Sequence, residues 1–274
     1  MFDVMEQAKN AIEAYNTALK ASSANIANMN VSGYKKIDVS FQSIFEKVLN
    51  RGTEAGIELG GTNPRQFGSG MALSNVSLDF SAGEYVSGSG LDLAIAGNGL
   101  FVVSPDGGSN YLYTRSGNFE IDANHNLTSN GMLVYGFNSA GTVVPITGLP
   151  YGNKANYQWN SAGVLQYTTD PTAETPTYVN TGYSIALTYF ANPSGLTQAQ
   201  GTAFAESAAS GAAATLQAPG GAVGSVRPNN IEQSNVFYLS ETIDAMELQR
   251  AMNGNLTVLK MASDIISQFI NKLG

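Results

Sequence analysis

Cysteine is absent from this chain, which removes disulfides, thiolate metal sites and cysteine nucleophiles in one step. Histidine occurs once, at position 125, so a metal site would have to be built from carboxylates. Charge is scarce too: 12% of the 274 residues are charged, against about 25% in an ordinary soluble domain. The polar surface must then come from Ser, Thr, Asn and Gly. The net charge of −8 comes from residues 37–235, because the two ends balance. With no basic stripe, a nucleic-acid partner is excluded. No apolar run reaches the ~18 residues of a membrane span. Residues 1–20 lack the continuous apolar core of a cleavable signal. That leaves either a cytoplasmic protein or one exported with its N-terminus uncut.

Hydrophobic residues make up 43% of the chain, enough for a sizeable core, and thirty glycines predict many turns. The ends have a different pattern from the middle. From Met5, the positions Ala8, Ile12, Tyr15, Leu19, Ser22, Ile26 and Met29 step by three and four, a heptad seam. This helix is expected to stop near Met29–Asn30, with Gly33 supplying a left-handed turn residue. The C-terminal end repeats the device. Ala245, Met252, Leu259, Ile266 and Leu273 lie seven apart, and Leu248, Asn255, Ala262 and Phe269 run beside them. Ser240 suits the N-cap, Glu241 and Asp244 the first turn, and Lys272 the last. Asn255 either fixes register in the seam or is simply solvated. Helices of about 25–33 residues exceed what a small core needs. They are expected to pair as a coiled coil with one face left uncovered, which points to self-assembly. A helical hairpin docked on its own β-domain is the competing arrangement.

Between the ends the period changes to two. LDLAIAGNGLFVV (91–103) reads as two strands about a Gly–Asn–Gly turn, and PDGGSN (105–110) as a second turn. NFEID, ANHN and LTSNGMLVYGF continue as strand, turn and strands. In GYSIALTYF the residues Tyr183, Ile185, Leu187 and Tyr189 share one face. Residues 197–229 are Ala-, Gly- and Ser-rich and predict a long loop or arm, with a short strand at AAATLQA. VSFQSIFEKVL (39–49) reads as helical, followed by an extended linker to residue 70. The expected fold class is therefore α+β: long N- and C-terminal helices paired as a coiled coil, and a mainly antiparallel β-domain between them. The expected divisions are 1–36 with 236–274, a linker at 37–70, and a β-rich domain at 71–235.

The chemistry of catalysis is missing. DANHN (122–126) opens like a calcium loop, but Leu127 and Leu133 stand where Gly and Glu are required, so a β-turn is expected. GNG at 97–99 lacks the spacing of a dinucleotide fingerprint. No nucleophile elbow accompanies His125. No enzyme, cofactor or metal is expected.

SSANIANMNVSGYKK (22–36) resembles the N-terminal signature of bacterial flagellar rod and hook proteins. Ala24, Asn25, Ile26, Ala27, Asn28, Asn30, Gly33, Tyr34 and Lys35 carry the match. EQSNVFYLSETIDAMELQRAMNGNLTVLK resembles the family's closing segment through Glu232, Ser234, Asn235, Val236, Glu241, Met246, Gln249, Arg250 and Asn255. Departures occur at Met29, Val31 and Phe237–Leu239, and residues 151–230 match loosely. The resemblance implies a structural subunit of a distal rod or a short hook. Copies would polymerise into a tube that transmits torque and encloses an export channel. The paired terminal helices would form its inner wall, packed through Met5, Ile12, Tyr15, Leu19, Ile26, Met29, Leu248, Met252, Asn255, Leu259, Ile266 and Phe269. Lys35 and Lys36 would lie at a junction between layers or in a solvated turn. The implied partners are further copies, neighbouring axial proteins and the type III export apparatus. The implied location is the flagellar basal body or hook, periplasmic to extracellular. A secreted β-rich adhesin with a helical hairpin is the alternative. The linker at 50–70 is expected to stiffen or free the tube.

Overall fold

Alanine decides how the first helix packs. In the computed structural model, which describes residues 2–50 and 65–273, α1 runs Phe2–Ala27. Its buried stripe is Ala8, Ala11, Ala14, Ala18, Ala21, Ser22 and Asn25. The stripe from Ala11 to Asn25 keeps the heptad steps of the expected seam but sits one residue earlier. Met5, Ile12, Tyr15, Leu19 and Ile26 flank it and are half-buried. Small side chains let a neighbouring backbone come close, and the larger residues wrap the edges of that contact. The helix ends two residues before the expected stop, and Gly33 takes the left-handed conformation (φ +70°).

The chain divides into two units. Unit 1 gathers Met1–Ile26, Ile37–Ser77 and Phe237–Gly274; unit 2 gathers Ala27–Lys36 and Leu78–Val236. In unit 1, α2 spans Tyr238–Leu273. It starts two residues before Ser240, with the Glu241 N–H donating to the Phe237 carbonyl at 3.1 Å. Ser240 is therefore inside the helix and not its cap. The sheltered side of α2 is Glu241, Ala245, Leu248, Met252, Asn255, Leu259, Ala262 and Ile266, in alternating steps of four and three. The helices pack together, and the Asn25 side-chain amide donates to Glu241 Oε2 at 3.1 Å. The last turn of α1 thus meets the first turn of α2, which makes the pair antiparallel.

The other part of unit 1 is a two-stranded ribbon, β1 (Ile37–Asn50) and β2 (Arg65–Leu78). Residues 39–49, which read as helical in the sequence, are therefore strand. Phe41, Ile44, Phe45 and Val48 satisfy a helical period, whereas Ile37, Val39 and Phe41 satisfy a period of two. Pairing with a segment that begins some fifteen residues later selects the strand, and local periodicity does not see that partner. Phe41 rests against Tyr15 of α1, ring centroids 5.9 Å apart. Of the linker expected at 50–70, residues 51–64 lie outside the described residues and 65–70 belong to β2.

Unit 2 carries short strands: β3 (Tyr85–Ser87), β4 (Leu93–Ala96), β5 (Leu100–Ser104), β6 (Leu112–Thr114), β7 (Glu120–Ile121), β8 (Leu127–Ser129), β9 (Met132–Phe137) and β10 (Val143–Pro145). They continue as β11 (Tyr157–Trp159), β12 (Val164–Tyr167), β13 (Val179–Ile185), β14 (Leu187–Thr188), β15 (Thr197–Gln198), β16 (Ala203–Ala205), β17 (Ser225–Pro228) and β18 (Asn230–Glu232). The main sheet runs β11-β12-β13-β9-β5-β6-β16-β15, with every pairing antiparallel. PDGGSN closes the β5–β6 hairpin, with Phe101 opposite Thr114. In DANHN, the Asp122 carboxylate accepts the N–H groups of Asn124 and Asn126. The bond from the Asn126 backbone leads in holding Asp122 below the usual carboxylate range. Gly97 and Gly99 do make a turn, but its flanking strands do not pair with each other: β4 pairs with β17, and β5 with β6, β9 and β14. The cause is a close backbone approach, since a Cβ on Gly97 would lie 2.6 Å from Gly224 Cα. Residues 197–229 are loop broken by β15, β16 and β17, and Gln217 in AAATLQA forms an isolated bridge to Leu187.

The core of unit 2 gathers Leu93, Phe101, Val103, Phe119, Val134, Trp159, Ile185 and Leu187 among others. Tyr183 and Tyr189 pack against its edge on the face the alternation assigns them. The sole tryptophan, Trp159, is buried and donates its indole N–H to the Leu91 carbonyl at 2.7 Å.

Candidate functional site: a buried clasp and an exposed helix face

Two features stand out, one in each unit. In unit 2 the segment that leaves α1 meets the segment that leads into α2. Lys35 donates from Nζ to Glu232 Oε1 at 2.7 Å, and neither side chain has any solvent exposure. Nζ also donates to the Ser81 carbonyl at 2.7 Å. Arg115 reaches the other carboxylate oxygen, Oε2, at 3.3 Å and donates to the Gly97 carbonyl at 2.6 Å. The Gly83 N–H donates to Glu232 Oε1 at 3.1 Å. The Glu232 backbone carbonyl accepts the Gly33 N–H at 2.9 Å and the Ser32 hydroxyl at 3.2 Å. One carboxylate therefore serves two buried cations. Burial pushes Lys35 below its ordinary pKa, and the Glu232 charge opposes that shift. Burial also raises Tyr85, with the Glu232 charge adding to the rise; its hydroxyl donates to the Ile95 carbonyl and the Arg227 guanidinium lies 4.5 Å above its ring.

The clasp admits no side chain at Gly33. Its φ is +70°, and a Cβ there would lie 2.3 Å from Ser116 N. Asn235 ties two neighbouring segments together. Its Oδ1 accepts the Lys36 N–H at 2.8 Å, and its Nδ2 donates to the Asp79 carbonyl at 2.8 Å. The Asp79 N–H returns a bond to the Lys36 carbonyl at 2.9 Å. The signature residues Gly33, Tyr34, Lys35, Ser234 and Asn235 thus meet in this unit, all but Asn235 buried. Lys35 is not in a solvated turn. Asn25 works in unit 1, accepting the Ile37 N–H and donating to the Ile37 carbonyl, each at 2.9 Å. Ala24 and Asn28 are half-buried, whereas Asn30, Gln249 and Arg250 are exposed.

The second feature is the outer side of α2. Leu239, Ile243 and Met246, then Val258, Met261, Ile265 and Phe269, repeat in steps of three and four. These residues are exposed; Phe269 is 65% exposed and Met261 53%. Met261 follows seam residue Leu259 by two positions, about 200° around the helix. Val258, Ile265 and Phe269 lie closer, about 60–100° around from Leu259 and Ile266, so α2 carries exposed apolar residues both opposite and beside its sheltered side. Leu248, Met252, Asn255, Leu259 and Ile266 lie half-buried on the sheltered side, with Met5, Ile12, Tyr15, Leu19 and Ile26 half-buried on α1. Met29 is half-buried in unit 2. Phe269, expected in the seam, faces out. Asn255 Nδ2 donates to the Ala251 carbonyl of its own helix at 3.0 Å.

Arg115 was not among the expected residues, and Glu232 entered only as one of the closing-segment residues that carry the resemblance, with no role given to it. A signal existed for Glu232: a lysine held in a tight Gly–Tyr–Lys turn requires an acid if it is buried. Nothing in YTRSGNF marks Arg115 as its second cation. Among the described residues no helix is long and apolar enough to cross a membrane, and no acidic or histidine group could hold a metal.

Comparison with known proteins places this arrangement. A family model described as the flagellar hook protein FlgE/F/G D1 domain matches residues 94–167. The flagellar basal-body rod protein FlgG of Caulobacter vibrioides is 30% identical over 96% of this chain and 96% of its own length. FlgG of Bacillus subtilis is 29% identical over 94% of both. The flagellar hook protein FlgE of Helicobacter mustelae is 37% identical over 44% of this chain but 27% of its own length. A 30% identity sustained from end to end, together with the domain match, means that the chain belongs to the flagellar rod and hook protein family.

Proposed function

We propose that this chain is a structural subunit of the flagellar axis, and that its copies polymerise into a tube of the distal rod. The observation that carries the reading is the second apolar stripe of α2. Burying one large apolar side chain stabilises by about 1.5–3 kcal/mol, so this stripe favours a state in which other copies cover it. The antiparallel helix pair acts as a short coiled coil, with Met5, Ile12, Tyr15, Leu19 and Ile26 packing beside the alanine stripe and Leu248, Met252, Asn255, Leu259 and Ile266 facing them. Phe269 belongs to the contact between copies. The terminal helices form the inner wall around an export channel, and the assembled tube transmits torque. The rod is favoured over the hook because similarity to rod proteins runs the full length of both chains, whereas the hook proteins FlgE of Helicobacter mustelae and of Borreliella burgdorferi are matched over 27% and 29% of their length. Neighbouring axial proteins are the other partners. The subunit reaches the periplasm and beyond through the flagellar export apparatus.

Electron microscopy of the concentrated full chain tests this, beside Ile265→Asp. Ile265 is 51% exposed, so the charge leaves the monomer folded and Trp159 emission unchanged. The native chain is expected to form tubes and the variant none. Straight tubes support a rod and curved, flexible ones a hook. Tubes formed equally well by Ile265→Asp would reject the stripe as the contact between copies.

A further inference from the structure

Lys35 and Arg115 bring two cations to one buried point in unit 2, and the carboxylate they share arrives late in the chain. Lys35 is 197 residues from Glu232 in sequence, Gly83 is 149 away and Arg115 is 117 away. These are long loops to close, and loop entropy delays such contacts until shorter-range structure can hold the ends together. The β5–β6, β7–β8 and β8–β9 hairpins have no such obstacle. Before Glu232 docks, two like charges at this point cannot leave water without a large penalty. Once it docks, both oxygens are used, the backbone carbonyl seals Gly33, and β18 pairs with β3 with Glu232 opposite Tyr85.

We propose that Glu232 is a closing latch: unit 2 completes its fold only when this carboxylate, from its last strand, neutralises the two cations that earlier parts of the chain have brought together. The latch acts inside unit 2 and does not depend on polymerisation. It ties completion of the β-unit to the presence of residues 225–235, the stretch that leads directly into α2. A chain whose C-terminal part is missing or still held elsewhere keeps this unit open, with the clasp hydrated.

Stopped-flow unfolding and refolding of the full-length monomer, followed through Trp159, provides the test. In Glu232→Gln, unfolding is expected to accelerate at least ~100-fold while refolding changes less than ~3-fold, since a late contact stabilises the native side of the barrier. Adding Lys35→Met to Glu232→Gln removes one of the two cations and is expected to recover at least ~10-fold in unfolding rate. If Glu232→Gln alone does not fold, the return of buried Trp159 emission in the double variant supports the latch. Failure of that emission to return overturns it. Slower refolding with unchanged unfolding in Glu232→Gln would place the carboxylate in the early nucleus and also overturn the proposal. So would a double variant less stable than the single one.

Discussion

Two glycines with nearly the same backbone angle should respond very differently to alanine. Gly33 has φ +70° and Gly131 has φ +80°. Both leave the region L-residues prefer, so alanine at either costs about 1 kcal/mol in conformational strain. Their surroundings differ. At Gly131 nothing lies within 4 Å of a built Cβ, whereas at Gly33 it would sit 2.3 Å from Ser116 N and 2.7 Å from Arg115 C. Those are backbone atoms and cannot swing aside. Forcing them apart costs a further ~1–3 kcal/mol. The move also lengthens the 2.9 Å bond from the Gly33 N–H to the Glu232 carbonyl, which contributes about 1 kcal/mol. Gly33→Ala is therefore expected to lose roughly 3–5 kcal/mol, against about 1 kcal/mol for Gly131→Ala. Urea unfolding of the full chain, followed through Trp159, reads both. With a slope of about 2 kcal/mol per molar, the midpoint should fall by about 1.5–2.5 M for Gly33→Ala and about 0.5 M for Gly131→Ala. Equal losses would mean that strain alone fixes glycine at 33, and the close approach to strand-end residues 115–116 would carry no energy.

Asn25→Ala removes three hydrogen bonds, two to Ile37 and one to Glu241. The helical transition followed by circular dichroism should lose about 2–4 kcal/mol, and amide exchange at Ile37 should accelerate; an effect below about 0.5 kcal/mol would deny Asn25 its role. Tyr113 donates to Glu206 Oε1, and burial followed by that carboxylate raises its pKa above the ordinary 10. The folded state then holds the phenolic proton longer than the unfolded chain. This stability is fully present below about pH 10 and is lost as pH rises further. Tyr113→Phe should cost about 1 kcal/mol at pH 7 and flatten the decline above pH 10, and an unchanged alkaline slope would refute the assignment.

The sequence could reveal what depends on local spacing. Heptad steps mark both helices, and of the rows they single out on α2, Ala245, Leu248, Met252, Asn255, Leu259, Ala262 and Ile266 are sheltered and Phe269 is not. Turn chemistry marks PDGGSN and DANHN because Asp and Asn bond their own backbone a few residues on. Period two marks the strand faces of GYSIALTYF. Spacing fails where a distant partner makes the choice. Residues 39–49 fit either period until β2 pairs with them. The α1 seam moves from Ile12, Tyr15, Leu19 and Ile26 to the alanines one residue earlier, because close packing favours the smaller face over the greasier one. β4 and β5 flank a good turn signal yet pair elsewhere, since Gly97 and Gly224 let two other backbones touch.

By itself the sequence determined the helical ends, a Gly-turned antiparallel middle and the signature that names the family. Each of those is written in residues close together along the chain. Only the tertiary structure decided that Lys35, Arg115 and Glu232 share one buried point. A charge reveals its partner only when folding has closed the long loops between them and removed the water that would otherwise have served instead.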